Sequence, residues 1–271
     1  DQADVLLLSH MRGHICDMDR LMAICNAAGI TVIEDCAHTM GGAWDGVPSG
    51  RHGAIGCYST QTYKHMNSGE GGFLVTDDAQ IAARATILSG SYMLYERHLA
   101  APPPDAFEMV KYTTPNVSGR MDNLRAAILR PQLRDLDTQV ARWNDRYHTL
   151  EDGLRNTPGL KVIARPEKES IVGSSFQFLL LDWAEARILD VVNRCAMRGV
   201  ELKWFGNAEP VAFTSRYDSW RYAPSQPMPA TDRVLAGILD LRVPLTFSRA
   251  DCAQIARIIR SEVSTVFQAA S

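Results

Sequence analysis

Cys57-Tyr-Ser-Thr-Gln-Thr-Tyr-Lys64-His-Met-Asn-Ser-Gly69-Glu70-Gly71-Gly72 joins two short apolar runs through a polar, glycine-rich segment. The apolar run Ala54 to Tyr58 leads into it and Phe73 to Thr76 leads out, both of strand length and bounded by turn residues. Between them lie one lysine and a glycine-rich turn. Those glycines admit positive φ and close approach of a ligand, yet they equally suit the sterics of a turn between strands. Lys64 in isolation reads as a solvated surface charge. Following a buried strand, between Tyr63 and Met66, it is expected to be partly desolvated, which frees its amine as a nucleophile. Ser59, five residues earlier, offers a hydroxyl at the strand end or is an ordinary turn serine.

Upstream, Val5 to Leu8 is a continuous apolar run, expected to be a strand buried on both faces of a parallel sheet. Asp17 caps a helix carrying Met18, Leu21, Met22, Cys25 and Ala28 on one face, and Gly29 ends it. Ile30 to Ile33 follows as a strand. Strand, helix and strand form a right-handed unit that opens the carboxyl ends of both strands on one sheet edge, where Glu34 and Asp35 fall. From that position Asp35 reads equally as a ligand-facing carboxylate or a turn cap. His38 reads as a hydrogen-bonding partner for a ring substituent or as the filler of a polar corner.

Downstream, Asp77 or Asp78 caps a helix with Ile81, Ala82, Ala85 and Leu88 inward. Gly90 to Gly119 shows no period, and Pro102-Pro103-Pro104 is expected to keep its centre irregular. Asp122 opens a helix that Pro131 must kink or restart. Leu133, Leu136, Val140, Trp143, Tyr147, Leu150 and Leu154 then form one apolar seam, read as a core-packing helix rather than a coiled-coil partner. The remainder reads as a smaller α/β domain. It contains a strand over Phe176 to Leu181, a capping box at Asp182 and Glu185, and a helix closed by Gly199. Val200 to Trp204 is a further strand, Leu241 to Leu245 an edge strand with Pro244 near its end, and a last helix opens at Ser248 and Asp251. The expected division is 1–132, the remainder of a larger ligand-binding domain, and 133–271, a linking helix with a small C-terminal domain.

With 271 residues, 46% hydrophobic, the chain is large enough for two domains. A net charge of −3 gives no general pull toward nucleic acid or anionic membrane, so neither is expected as a partner. Six cysteines without a C-x-x-C pair suit a reduced, cytoplasmic protein. No apolar run reaches membrane-spanning length, and no metal site is expected. The chain opens almost directly on a strand without a starting methionine, which reads as a fragment or a processed chain.

Val32-Ile-Glu-Asp35-Cys-Ala-His38, followed by Ser59-x-x-x-x-Lys64-x-x-x-x-Gly69-Glu70-Gly71-Gly72, resembles the DegT/StrS family of sugar aminotransferases. The resemblance extends through His10-Met-Arg-Gly13, Asp17-Met-Asp19 and Arg120-Met-Asp-Asn-Leu-Arg-Ala-Ala127, and weakens in the C-terminal domain. It implies an α/β fold with a mostly parallel sheet flanked by helices, the fold type I of pyridoxal-phosphate enzymes, with the large domain incomplete at its front. It also implies pyridoxal 5′-phosphate as cofactor, held by Lys64 as a Schiff base. Asp35 would meet the pyridinium nitrogen, His38 the phenolic oxygen and Ser59 the phosphate. Asn116, or Ser118 if the alignment is set on Arg120, would reach the cofactor phosphate of a neighbouring subunit, which implies a homodimer. The implied reaction moves an amino group, from glutamate, to a keto or aldehyde sugar, nucleotide-linked or a sugar acid, in polysaccharide or secondary-metabolite biosynthesis. The alternatives are the family's dehydratase branch, where a histidine replaces the lysine, and a non-catalytic fragment with a binding or regulatory role. Lys203, Trp204, Arg216, Trp220 and Arg221 are read as a substrate surface whose cations meet an anion, or as bases lying over packed aromatics.

Overall fold

The computed structural model describes residues 3–90, 95–209, 216–220 and 226–269. The chain folds as two units, Asp1–Val140 with Glu167–Val172, and Ala141–Pro166 with Gly173–Ser271.

In the first unit β1 (Val5–Ser9) leads through a short turn to α1 (Met18–Ala28) and β2 (Thr31–Asp35). Asp17 accepts from the Arg20 N–H at the start of α1, and Gly29, at φ 68°, closes it. A small hairpin of β3 (Ala43–Trp44) and β4 (Val47–Pro48) follows, then β5 (Ile55–Ser59) and β6 (Gly72–Val75). The main sheet has the order β1-β2-β5-β6, with the first two pairings parallel and the last antiparallel. Val5 and Leu7 are 52% and 68% exposed, so β1 is not the doubly buried strand expected. It is an edge strand, and the cluster of Ile15, Met18, Trp44 and Leu8 covers only its other face.

Asp78 caps α2 (Ala79–Ser89), whose Ala83 and Ile87 pack with Ala106, Phe107 and Val110. Residues 101–103, which include Pro102 and Pro103, are irregular as expected, and regular structure resumes only after them. Pro104 starts a single 3-10 turn, where its missing N–H costs nothing, and α3 (Val110–Thr113) follows. Phe107, 1% exposed, stacks on Tyr95 at 4.2 Å. Pro131 is accommodated inside α4 (Asn123–Arg134), and the break comes at Asp135. From there α5 (Leu136–Leu154) carries the chain into the second unit, burying Trp143, Tyr147, Leu150 and Leu154. Leu133 lies off that seam and is 59% exposed.

After β7 (Lys161–Val162) the chain returns to the first unit as β8 (Glu169–Ser170), which adds a third strand to the β3–β4 hairpin. Lys168 bonds Asp19 at 2.7 Å and lies 3.0 Å from Asp45, while Glu169 accepts the Ile15 N–H at 2.8 Å.

The second unit contains β9 (Ser175–Leu179), α6 (Glu185–Met197), β10 (Lys203–Trp204), α7 (Pro229–Gly237), β11 (Ile238–Arg242) and α8 (Arg249–Gln268). Its sheet is antiparallel, in the order β10-β11-β9-β7. The strand expected at Leu241 to Leu245 lies three residues earlier and is central, with Pro244 beyond its end. Asp240 disguised it: buried inside the strand, it accepts from Gln177 Nε2 at 2.6 Å. The expected capping box at Asp182 and Glu185 does not form. Ala184 is the N-cap, and Asp182 forms a two-pronged ion pair with Arg233. The box at Ser248 and Asp251 does form.

Candidate active site

Parallel pairing brings Ser9, Asp35 and Cys57 into line on neighbouring strands at the carboxyl edge of the main sheet. Adjacent strands lie about 4.8 Å apart, and Ser59 stands two residues, roughly 7 Å, further along β5. Asp35 is half-buried. Its Oδ2 accepts from Ser9 Oγ at 3.0 Å and its Oδ1 from the Ala37 N–H at 3.0 Å. It is therefore both a turn acceptor and an edge carboxylate. His38, also half-buried, receives the Arg12 N–H on Nδ1 at 2.9 Å.

Lys64 lies in the loop of the β5–β6 hairpin. Beyond the strands the pairing continues through Thr60 N–H to Gly71 O and Thr62 N–H to Gly69 O, both at 2.9 Å. Gly71 has φ 122°, and a Cβ there would lie 2.8 Å from Thr60 Oγ1. Gly72 needs its missing side chain as well, because a Cβ would lie 2.5 Å from Tyr58 O. Gly71 and Gly72 thus serve the hairpin sterically and leave it bare of side chains at those two positions. Lys64 is half-buried; Met66 and His65 are buried, whereas Tyr63, at φ 75°, is 72% exposed. On the Met66 side the loop is shielded, where Met66 packs with Met40 and Leu129. Gln132 of α4 grips the loop, accepting the Asn67 N–H at 2.9 Å and donating to Asn67 O at 2.8 Å. Ser59 Oγ accepts weakly from the Gln61 N–H at 3.3 Å.

Sequence reasoning missed Glu34. Fully buried, it accepts from His10 Nε2 at 3.0 Å and from the N–H groups of Gly50, His52 and Gly53 at 2.7–2.8 Å. Burial pushes its pKa up, but the His10 bond and the three N–H donors outweigh that and hold it below the ordinary value. Burial pushes the nearby Cys36 thiol up to about 12, and the Glu34 charge adds to it. His10, Glu34 and Cys36 bring three potential metal ligands within 4.8 Å of one another, and Glu34 there receives four hydrogen-bond donors. The only signal in the sequence was a second acid at a strand end, facing the side opposite Asp35.

Asn116 is exposed and its bonds are local: Oδ1 accepts the Ser118 N–H at 2.7 Å. The segment is fastened to the end of α2 by Val117 N–H to Leu88 O and Arg120 N–H to Ser89 O. In the second unit Trp204 and Phe205 are buried, Lys203 is half-buried, and Arg216 is paired with Asp218 at 2.6 and 3.0 Å. Trp220 is 43% exposed, while Thr214, Ser215 and Arg221 lie outside the described residues.

The sequence profile of the DegT/DnrJ/EryC1/StrS aminotransferase family matches residues 2–260. The chain belongs to this family. Among members with curated names it is similar to the L-glutamine:scyllo-inosose aminotransferase of Streptomyces griseus, 37% identical over 157 residues, 57% of this chain and 36% of that protein. It is also similar to the L-glutamine:2-deoxy-scyllo-inosose aminotransferase of Streptomyces lividus, 34% identical over 162 residues, 59% of this chain and 37% of that protein. The match thus spans well under half the length of these relatives. Among solved structures, the aminotransferase TlmJ of Streptoalloteichus hindustanus matches 97% of this chain and 66% of its own, with a TM-score of 0.79 at 19% identity. That likeness shows the fold, the α/β fold of the DegT/StrS aminotransferases that the motifs implied. Membership carries pyridoxal phosphate as the cofactor of the family. No helix among the described residues is long and apolar enough to cross a membrane.

Proposed function

We propose that this chain carries the lysine-bearing part of the site of a pyridoxal-phosphate-dependent aminotransferase that aminates a keto group on a sugar or cyclitol ring. The observation that carries the reading is the alignment of Ser9, Asp35 and Cys57 on one sheet edge, with the Lys64 loop hung directly from the Cys57 strand. The residues fit the cofactor. Asp35 supplies a held carboxylate for a ring nitrogen, Ser59 a hydroxyl for a phosphate, and Gly71 and Gly72 a stretch of backbone without side chains in the way. Pyridoxal phosphate, when bound, supplies an electron sink for a carbanion at the substrate carbon. Ser9 and the Ala37 N–H orient Asp35, whose negative charge would keep the ring nitrogen protonated. Lys64 would be the residue to hold the cofactor through its amine, and the same amine would serve as the base at the reacting substrate carbon. His38 would be the partner for the cofactor's phenolic oxygen.

The names of the curated relatives support L-glutamine as donor in place of glutamate, and a keto-cyclitol as acceptor. Asn116 supports a homodimer: its exposed amide N–H2 suits a phosphate on a second copy, whereas the Ser118 backbone is occupied with Asn116. The proposed compartment is the cytoplasm, and the proposed division of labour gives residues 1–132 to the cofactor.

Borohydride reduction of the cofactor-loaded full-length protein, followed by peptide mapping, tests the reading. A pyridoxyl mark on Lys64 that is lost in Lys64→Ala is expected. An unmarked Lys64 overturns the reading in favour of the non-catalytic alternative. Turnover with scyllo-inosose, a nucleotide-linked ketosugar and a ketosugar acid, each with L-glutamine or L-glutamate, identifies the substrates.

A further inference from the structure

The motif His10-Met11-Arg12-Gly13 is not used by any step above, yet its turn meets the site at three points. His10 is buried and its Nε2–H donates to Glu34. Its main-chain N–H donates to Asp35 O at 3.1 Å, one residue after Ser9 Oγ donates to the Asp35 carboxylate. Arg12 then stands at φ 56°, ψ 26°, and Gly13 at φ 81°, two successive residues in the left-handed region. A non-glycine residue held there is uncommon and persists only where its surroundings fix it. Here the conformation turns the Arg12 N–H onto His38 Nδ1 at 2.9 Å. Gly13 leaves no slack, since a Cβ on it would lie 3.2 Å from His38 O.

A peptide N–H has a proton to give and no lone pair to receive one. The ring nitrogen opposite must therefore be bare, and a neutral imidazole then carries its proton on Nε2. We propose that the main-chain N–H of Arg12 selects the Nε2–H tautomer of His38, making His38 a hydrogen-bond donor, and so a partner for an anionic oxygen, at the site edge. Arg12 is thus a positioning residue that acts through its backbone, with Glu34 and His10 as the footing of the turn. The role of His38 rests on the aminotransferase reading; the tautomer itself does not.

The test is a long-range proton–nitrogen correlation spectrum of the full chain labelled with 15N-histidine, without cofactor, the His38 signals being those missing in His38→Gln. A protonated Nε2 and a bare Nδ1 at neutral pH are expected in the wild type, and also in Arg12→Gly, which keeps the N–H and tolerates the left-handed turn. A protonated Nδ1, or a doubly protonated ring, overturns the proposal. Gly13→Ala, which pushes the turn off His38, is expected to convert the single tautomer into a mixture; an unchanged single Nε2–H tautomer in a folded Gly13→Ala would show that the turn is not the selector. After loading, His38→Gln, which keeps an N–H near the Nε2 position, is expected to retain the cofactor absorption band and His38→Leu to shift it. Failure of Lys64 to take the borohydride mark, with the tautomer as expected, sinks the aminotransferase reading and leaves the selector standing. The reverse pattern sinks only the selector.

Discussion

Glu34 and Asp35 are neighbours in β2, yet one is fully buried under four hydrogen-bond donors while the other stays half-open with two. Strand alternation sends them to opposite faces. The first fastens the 50–53 loop and the His10 turn to the sheet, and the second is left available at the edge.

Removing Glu34 should therefore damage structure, and removing Asp35 should damage cofactor binding. Glu34→Ala strands three N–H groups, each worth about 1–3 kcal/mol when buried without a partner. A loss of roughly 3 kcal/mol or more is expected, seen as faster hydrogen exchange at Gly50, His52 and Gly53. Asp35→Ala should leave exchange at those amides unchanged and weaken pyridoxal phosphate retention at least tenfold in equilibrium dialysis.

Acid should find the same group. Glu34 is held below its ordinary pKa, so its stabilising contribution is complete above the unfolded value of about 4.3 and fades as pH falls through the lower folded value. Glu34→Gln cannot ionise and lacks that dependence. The gap in melting temperature between wild type and Glu34→Gln should be wide at neutral pH and narrow below about pH 4; a gap that widens in acid would contradict the assignment.

The Lys64 loop depends on a residue 68 positions away in sequence, Gln132, through two bonds to Asn67. Gln132→Ala should cost roughly 1–2 kcal/mol locally. Limited proteolysis is expected to cleave between residues 61 and 68 earlier in the variant than in wild type, with cleavage elsewhere unchanged.

Thiol chemistry offers a simple check on burial. All six cysteines are free thiols, of which Cys16 is exposed and Cys57 half-buried. Burial pushes Cys36 and Cys195 up to about 12. Under native conditions near neutral pH an aromatic disulfide reagent should reach Cys16 first and Cys57 slowly, with the remainder reacting only after denaturation. Fast native modification of Cys36 would be incompatible with the packing around Glu34.

Local signals in the sequence were reliable wherever local physics decides. Asp17 and Gly29 bound α1, and Ser248 with Asp251 opens α8, because caps involve only residues within a turn of one another. The edge position of Asp35 followed from the strand–helix–strand order. What stayed hidden depends on distant partners. Asp240 reads as a strand breaker until Gln177 is beside it, Asp182 reads as a cap until Arg233 claims it, and neither Glu34 nor the Arg12 N–H shows its role before the turn closes over His38.

The return of residues 167–172 to the first unit also sets an order of events during synthesis. The Ile15 amide and the carboxylates of Asp19 and Asp45 are made early but receive Glu169 and Lys168 only 123 to 154 residues later. A ribosome must therefore release most of the long helix α5 and the first strand beyond it before the amino-terminal unit can close. Ending the first unit at Val140 would leave it without its last strand.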